Sequence, residues 1–171
     1  MILNTEFNRK LSIADDSGFI AIINNDRYDS FISENWELDQ LFEHFIDAMN
    51  EDSMIIWSTG FENEWEVVFQ ETPSSASAFA EFSKSILVTK EKLFMTNYED
   101  LTMAAQFRDE KLPSGHNADL FIKLENGLYN ITVRQLFDSR NFDFDDKGVF
   151  EIVIQKANKS TGRINKIYWS K

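Results

Sequence analysis

The stretch Phe61-Glu62-Asn63-Glu64-Trp65-Glu66-Val67-Val68-Phe69-Gln70 sets the fold class. Phe61, Asn63, Trp65, Val67 and Phe69 alternate with Glu62, Glu64, Glu66, Val68 and Gln70. Successive side chains of an extended chain point to opposite faces, so this is a strand with one mostly apolar and one mostly acidic face. Upstream, residues 19–23 (FIAII) and 54–57 (MIIW) are short apolar runs of strand length, rich in β-branched side chains. Downstream, residues 85–89, 92–96, 119–124, 128–136, 149–156 and 164–169 read as further strands. Asn126-Gly127 supplies a strong hairpin signal between two of them. Many short strands separated by turn residues predict a mainly β protein, an antiparallel β-sandwich or barrel-like fold.

One helix interrupts the pattern. Across residues 34–50, Leu38, Leu41, Phe42, Phe45, Ile46 and Met49 recur at helical spacing and share one side. Glu34 and Glu37 fall in its first turn, where carboxylates oppose the positive end of the helix dipole. A shorter helical stretch is expected over 98–106. The segment 72–79 (TPSSASAF) is a loop by composition. The halves it separates are small and alike in composition, so residues 1–171 are expected to form a single domain.

Composition narrows the function classes. The chain has 171 residues, 43% of them apolar, with 16 Phe. A chain of that size buries about 70% of its unfolded surface. There is no Cys, which removes disulfide scaffolds, thiolate metal sites and cysteine nucleophiles. The longest stretch without a charged residue is nine residues, as in 17–25, against the roughly twenty of a membrane helix. The first ten residues, MILNTEFNRK, lack the apolar run of a secretory signal, so a cytoplasmic location is expected.

Charge is the most informative property. The formal net charge is −12, and residues 1–70 account for all of it, with 15 Asp/Glu against 3 Lys/Arg. Residues 71–171 carry 14 of each. The last 25 residues reverse the sign, with Lys147, Lys156, Lys159, Arg163, Lys166 and Lys171 against Glu151 alone. Such an asymmetry, kept in space, attracts a basic partner and repels nucleic acid. No basic stripe with interleaved aromatics is present, so nucleic-acid binding is not expected.

At 100° per residue Trp36 falls beside Gln40, Glu43 and Asp47 on the polar face of the helix. Two readings stand open. An indole exposed among carboxylates is a typical anchor of a protein–protein contact. Alternatively, Trp36 lies where the helix starts and folds back as an apolar staple. The acids Glu37, Glu43, Asp47 and Glu51 on the helix and Glu62, Glu64 and Glu66 on the strand complete the expected partner-binding set.

Catalytic motifs are not apparent. His44 has carboxylates nearby on its helix and reads as a surface ion pair; His116 sits in the turn Pro113-Ser114-Gly115-His116-Asn117 without a nucleophile context. In 143–148, Asp143, Asp145 and Gly148 match positions one, three and six of a calcium loop, but Lys147 and Ile154 occupy positions five and twelve. No cofactor, metal or enzymatic activity is expected.

In order along residues 17–135, the chain presents the Phe19–Ile23 strand, a segment led by Trp36 and the strand ending at Trp57. Glu66-Val67-Val68-Phe69, the Pro73-Ser74-Ser75 spacer, Ser85-Ile86-Leu87-Val88-Thr89 and Glu125-Asn126-Gly127-Leu128-Tyr129-Asn130 follow. This succession resembles the ComJ-type family of competence nuclease inhibitors. The resemblance implies a small β-sandwich that binds and blocks a nuclease; it assigns no functional residue. In composition the chain is also similar to small acidic bacterial immunity proteins directed against nuclease toxins. The expected function is therefore a non-enzymatic inhibitor or immunity-type protein with a basic protein partner. The alternative is a β-sandwich module for a small ligand or divalent cation.

Overall fold

A computed structural model describes residues 9–142 and 148–170. In chain order the elements are β1 (Lys10–Asp15), β2 (Phe19–Ile23), α1 (Leu38–Asn50), β3 (Met54–Ser58), β4 (Asn63–Gln70) and β5 (Ala80–Val88). β6 (Lys92–Asn97), α2 (Tyr98–Gln106), β7 (Phe121–Lys123), β8 (Gly127–Gln135) and β9 (Val149–Lys156) follow. The strands form two sheets, of order β1-β4-β9-β8-β5 and β3-β2-β6-β7.

Three layers result. The inward side chains of the larger sheet, among them Ile13, Trp65, Val67, Ile131 and Ile152, pack against Ile20, Ile22, Ile55 and Trp57 of the smaller sheet. The other face of the smaller sheet, with Ala21, Ile23, Met54 and Ile56, packs against Leu41, Phe45 and Met49 of α1 and Leu101 and Ala105 of α2. This double cover explains why β2 and β3 read as continuous apolar runs. In β4 only Trp65, Val67 and Phe69 are buried, so its outer face keeps the acids, as the alternation predicts.

The mainly β sandwich with a helix is the observed class, with several local corrections. The larger sheet is mixed, because β9 inserts between β8 and β4 and runs parallel to β4, Glu66 facing Val149. Asn126-Gly127 does not close a hairpin. β7 pairs with β6 in the smaller sheet while β8 pairs with β5 in the larger one, so this turn carries the chain between sheets. Thr89-Lys90-Glu91 makes the matching passage from β5 to β6, and the two corners are tied by Glu91 N–H to Asn126 Oδ1 at 2.8 Å. Gly127 has φ +147°, and Gly is suited to such a backbone.

The helix begins at Leu38, not at residue 34. Glu37 is its N-cap in an extended conformation, and the Glu37 N–H donates to Gln40 Oε1 at 2.9 Å. Residues 164–169 are not a strand. The chain after β9 crosses the open side of the sandwich between β3 and β5, and its one bridge pairs Trp57 with Tyr168. Side chains make the other ties. Asn50 Nδ2 donates to Ile164 O and accepts at Oδ1 from Ile164 N–H, at 2.9 and 2.8 Å. Tyr168 stacks on Phe82 at 3.8 Å.

β1 has no counterpart in the sequence reading, since Asp15 stands where alternation wants a third apolar residue. The carboxylate is 1% exposed yet fully engaged. Oδ1 accepts the N–H groups of Ser17, Gly18 and Phe19, and Oδ2 accepts Thr59 Oγ1 at 2.6 Å and Trp65 Nε1 at 2.8 Å. It fixes the turn that passes the chain from the larger to the smaller sheet.

Candidate protein-docking surface

The layer order divides the expected partner-binding residues. Glu37, Glu43, Asp47 and Glu51 are exposed on or beside α1, the outer layer on one side. Glu62, Glu64 and Glu66 belong to or precede β4, and the side chains of Glu64 and Glu66 leave the opposite outer face. The two groups are separated by more than one intersheet spacing of about 10 Å. The sequence brings them into one charged third; the fold does not bring them into one patch.

The groups also differ in how far they are already engaged. Glu66 is paired with Lys10 at 2.6 Å, and Glu64 accepts a hydrogen bond from Ser12 Oγ at 2.8 Å. By contrast, no side-chain ion pair of Glu43, Asp47 or Glu51 occurs among the described residues, and α1 has no basic residue in its last turn. Asp47 and Glu51 stand at the C-terminal end of the helix, where the dipole disfavours negative charge. The tail lies close by, since Ile164 is tied to Asn50, but among the described residues none of its cations reaches ion-pair distance of these acids.

Trp36 is not the exposed anchor. With the helix starting at Leu38, Trp36 takes the position before the N-cap and Leu41 the fourth helical position, the pair that makes a hydrophobic staple. Both join the apolar cluster beneath α1, and the indole N–H is buried without a partner. The exposed large apolar side chains of the helix layer are instead Leu38 on α1, Met103 on α2 and Phe107 just after it. The sequence hid Met103 and Phe107 because the stripe of α2 is short, with only Leu101, Ala104 and Ala105 buried.

The histidines are placed as structural groups. His44 Nε2 donates to the Asp29 carbonyl at 2.6 Å and its ring lies against Tyr28 and Phe45, so it forms a backbone contact in place of the expected ion pair. His116 is exposed in a short 3-10 turn whose neighbours Ser114 and Asn117 both donate to Asp100 Oδ2. The Asp143–Asp146 candidate lies outside the described residues. Among the described residues no group of three His, Asp or Glu is arranged to hold a metal, and no helix is long and apolar enough to cross a membrane.

Two buried charge clusters escaped the sequence reading. Lys84, 1% exposed, donates to Thr161 Oγ1 at 2.9 Å and faces Asp52 Oδ1 at 3.6 Å; Ser85 and Ser160 hydroxyls also donate to Asp52. Desolvation holds the Lys84 ammonium below the usual lysine range, with Asp52 acting against that shift. This cluster fastens the tail to β5. The inward parity of Lys84 between Phe82 and Ile86 is the signal that could have revealed it. On the outer face of the larger sheet, Arg134 pairs with Glu151, Ser74 N–H donates to Glu151 and Arg134 Nη2 donates to Ala76 O, so the 72–79 loop is bound across the sheet.

No family model matches the chain, and no curated protein matches it in sequence. Solved structures do. ComJ from Bacillus subtilis, described as an inhibitor of the DNA-degrading activity of NucA, superposes with a TM-score of 0.55 over 92% of this chain and 100% of its own, at 11% identity. The chain has the ComJ-type fold. A protein described as crocagin biosynthetic gene J matches with a TM-score of 0.54 over 84% of this chain and 94% of its own, at 9% identity. At these identities the likeness concerns the fold.

Proposed function

We propose that this chain is a non-enzymatic, bacterial, cytoplasmic inhibitor of immunity type that docks on a basic protein, a nuclease or nuclease toxin. The carrying observation is the outer face of α1: Glu43, Asp47 and Glu51 point to solvent, without an ion-pair partner among the described residues, and the last two oppose the helix dipole. Charges held against their own helix are the arrangement expected when a partner, not the fold, supplies the compensation. The ComJ-type fold supports the nuclease class, because ComJ is described as acting on one. A surface that binds phosphates is basic, and carboxylates speed its encounter and fix orientation.

Glu37, Glu43, Asp47 and Glu51 form the primary docking set of this reading. Leu38, Met103 and Phe107 take over the role of desolvated anchor, and Trp36 supports the helix from beneath. Glu62, Glu64 and Glu66, on the far face, serve solubility or a second contact. The test uses the nuclease encoded beside this gene, purified and assayed on plasmid DNA. Degradation is expected to stop near one inhibitor per nuclease, with an association rate that falls as NaCl rises. Undiminished degradation at hundredfold excess of inhibitor, or association indifferent to salt, refutes the proposal.

A further inference from the structure

Accessible sulfur is scarce in this chain. There is no Cys, so the five Met hold all of its oxidisable sulfur. Met49 and Met54 are fully buried and Met95 is nearly so, each inside an apolar cluster. Met103 stands apart at 46% exposure. Among the described residues it is the one thioether that a dissolved oxidant reaches without any opening of the fold.

The position of Met103 makes that exposure consequential. α2 buries Leu101, Ala104 and Ala105, and at 100° per residue Met103 points away from all three. It belongs to neither apolar cluster, so a change of its chemistry leaves core packing alone. The Phe107 N–H donates to the Met103 carbonyl at 3.0 Å, which sets the two residues one turn apart, and both side chains are open to solvent.

From these observations we infer that Met103 is an oxidation site that switches off the α2 side of the docking surface. The inference rests on the docking reading above, in which Met103 and Phe107 are desolvated anchors. The step is an oxygen transfer from a peroxide. The Met103 Sδ lone pair attacks one peroxide oxygen and the O–O bond breaks. The departing hydroxide takes the proton of the S–OH group and leaves as water, so sulfur is oxidised to the sulfoxide and peroxide is reduced. An apolar, adaptable side chain becomes a polar, chiral one. In the free chain water solvates the new oxygen; in the complex it is buried in an apolar contact, which weakens binding about tenfold or more. The sulfoxide carries no net charge, so the encounter guided by Glu43, Asp47 and Glu51 persists and the loss falls on the dissociation rate. Reductases that act on methionine sulfoxide restore the thioether, which makes the switch reversible.

The test treats the full chain with dilute hydrogen peroxide, removes the peroxide, and maps the peptides by mass. Gain of one oxygen is expected at Met103 well before Met49, Met54 or Met95, and this order should vanish in urea. Dissociation from the nuclease encoded beside this gene is then timed. Its rate should rise about tenfold on oxidation and return after treatment with a methionine sulfoxide reductase, with the thermal midpoint in place. In Met103→Leu, whatever its own rate, peroxide treatment should change nothing. Equal reactivity of the Met residues in the folded chain, an unchanged dissociation rate after oxidation of Met103, a lowered midpoint, or an equal peroxide response in Met103→Leu overturns the inference. Failure of the untreated chain to bind the nuclease is a different result: it overturns the docking reading, and the switch with it.

Discussion

Asp15 is where one atom exchange reports on the whole architecture. In Asp15→Asn, one carboxylate oxygen becomes an NH2 group. The less costly orientation keeps an oxygen toward the three backbone N–H groups of Ser17, Gly18 and Phe19 and turns the NH2 toward Thr59 and Trp65. Thr59 can adapt, since its hydroxyl also reaches the Phe61 carbonyl at 3.1 Å. The Trp65 N–H cannot, and an unmet buried donor costs about 1–3 kcal/mol. Loss of charge from the remaining bonds brings the expected total to about 2–3 kcal/mol, and Asp15→Ala, which strands every donor, to about 4 kcal/mol. Urea unfolding followed by circular dichroism measures both, with the slope unchanged. The decisive control is Trp65→Phe in the Asp15→Asn background. It removes the stranded N–H, so the two substitutions should couple favourably by about 1–2 kcal/mol. A cost for Asp15→Asn below about 1 kcal/mol, or additive behaviour of the pair, refutes this account of the inter-sheet turn.

Further outcomes are expected elsewhere. The double variant Glu43→Lys with Asp47→Lys should change stability by less than about 0.5 kcal/mol, as exposed unpaired sites do. The same variant should slow association with the basic nuclease about tenfold or more at low salt, measured by stopped flow. Trp36→Ala should destabilise the fold by about 2 kcal/mol, read by thermal unfolding, while the dissociation rate of the complex stays close to that of the parent. Phe107→Ala should do the reverse, raising the dissociation rate with little change in stability. Burial pulls the Glu151 carboxyl up, but its bonds from Ser74 and Arg134 outweigh this and hold it below the ordinary 4.5 of a glutamate. Its contribution is therefore complete above about pH 4.5 and is lost as pH falls through the lower folded value. Glu151→Gln should flatten the acid loss of stability in that window and cost stability at pH 7, by leaving the buried Arg134 with only the exposed Glu81, at 3.4 Å, as a charge partner.

Local chemistry determined much of this protein. Alternation from Phe61 to Gln70 fixes β4 and the face on which its acids lie, and the spacing from Leu38 to Met49 fixes α1 and its polar side. Such readings succeed because strand and helix periods are set by the backbone, residue by residue. They fail where a neighbour distant in sequence decides. Trp36 has helical spacing with Gln40 and Glu43, yet the helix starts after it and the apolar layer claims its ring. Asn126-Gly127 has hairpin chemistry, yet its flanking strands find β6 and β5, in different sheets. The acids of α1 and β4 are close in the chain and on opposite sides of three layers, because two sheets and their cores lie between them. Lys84 meets Thr161 across 77 residues. Periodicity carries a side chain's direction relative to its own element; only packing decides what stands opposite it, and burial and ion pairing are properties of that encounter.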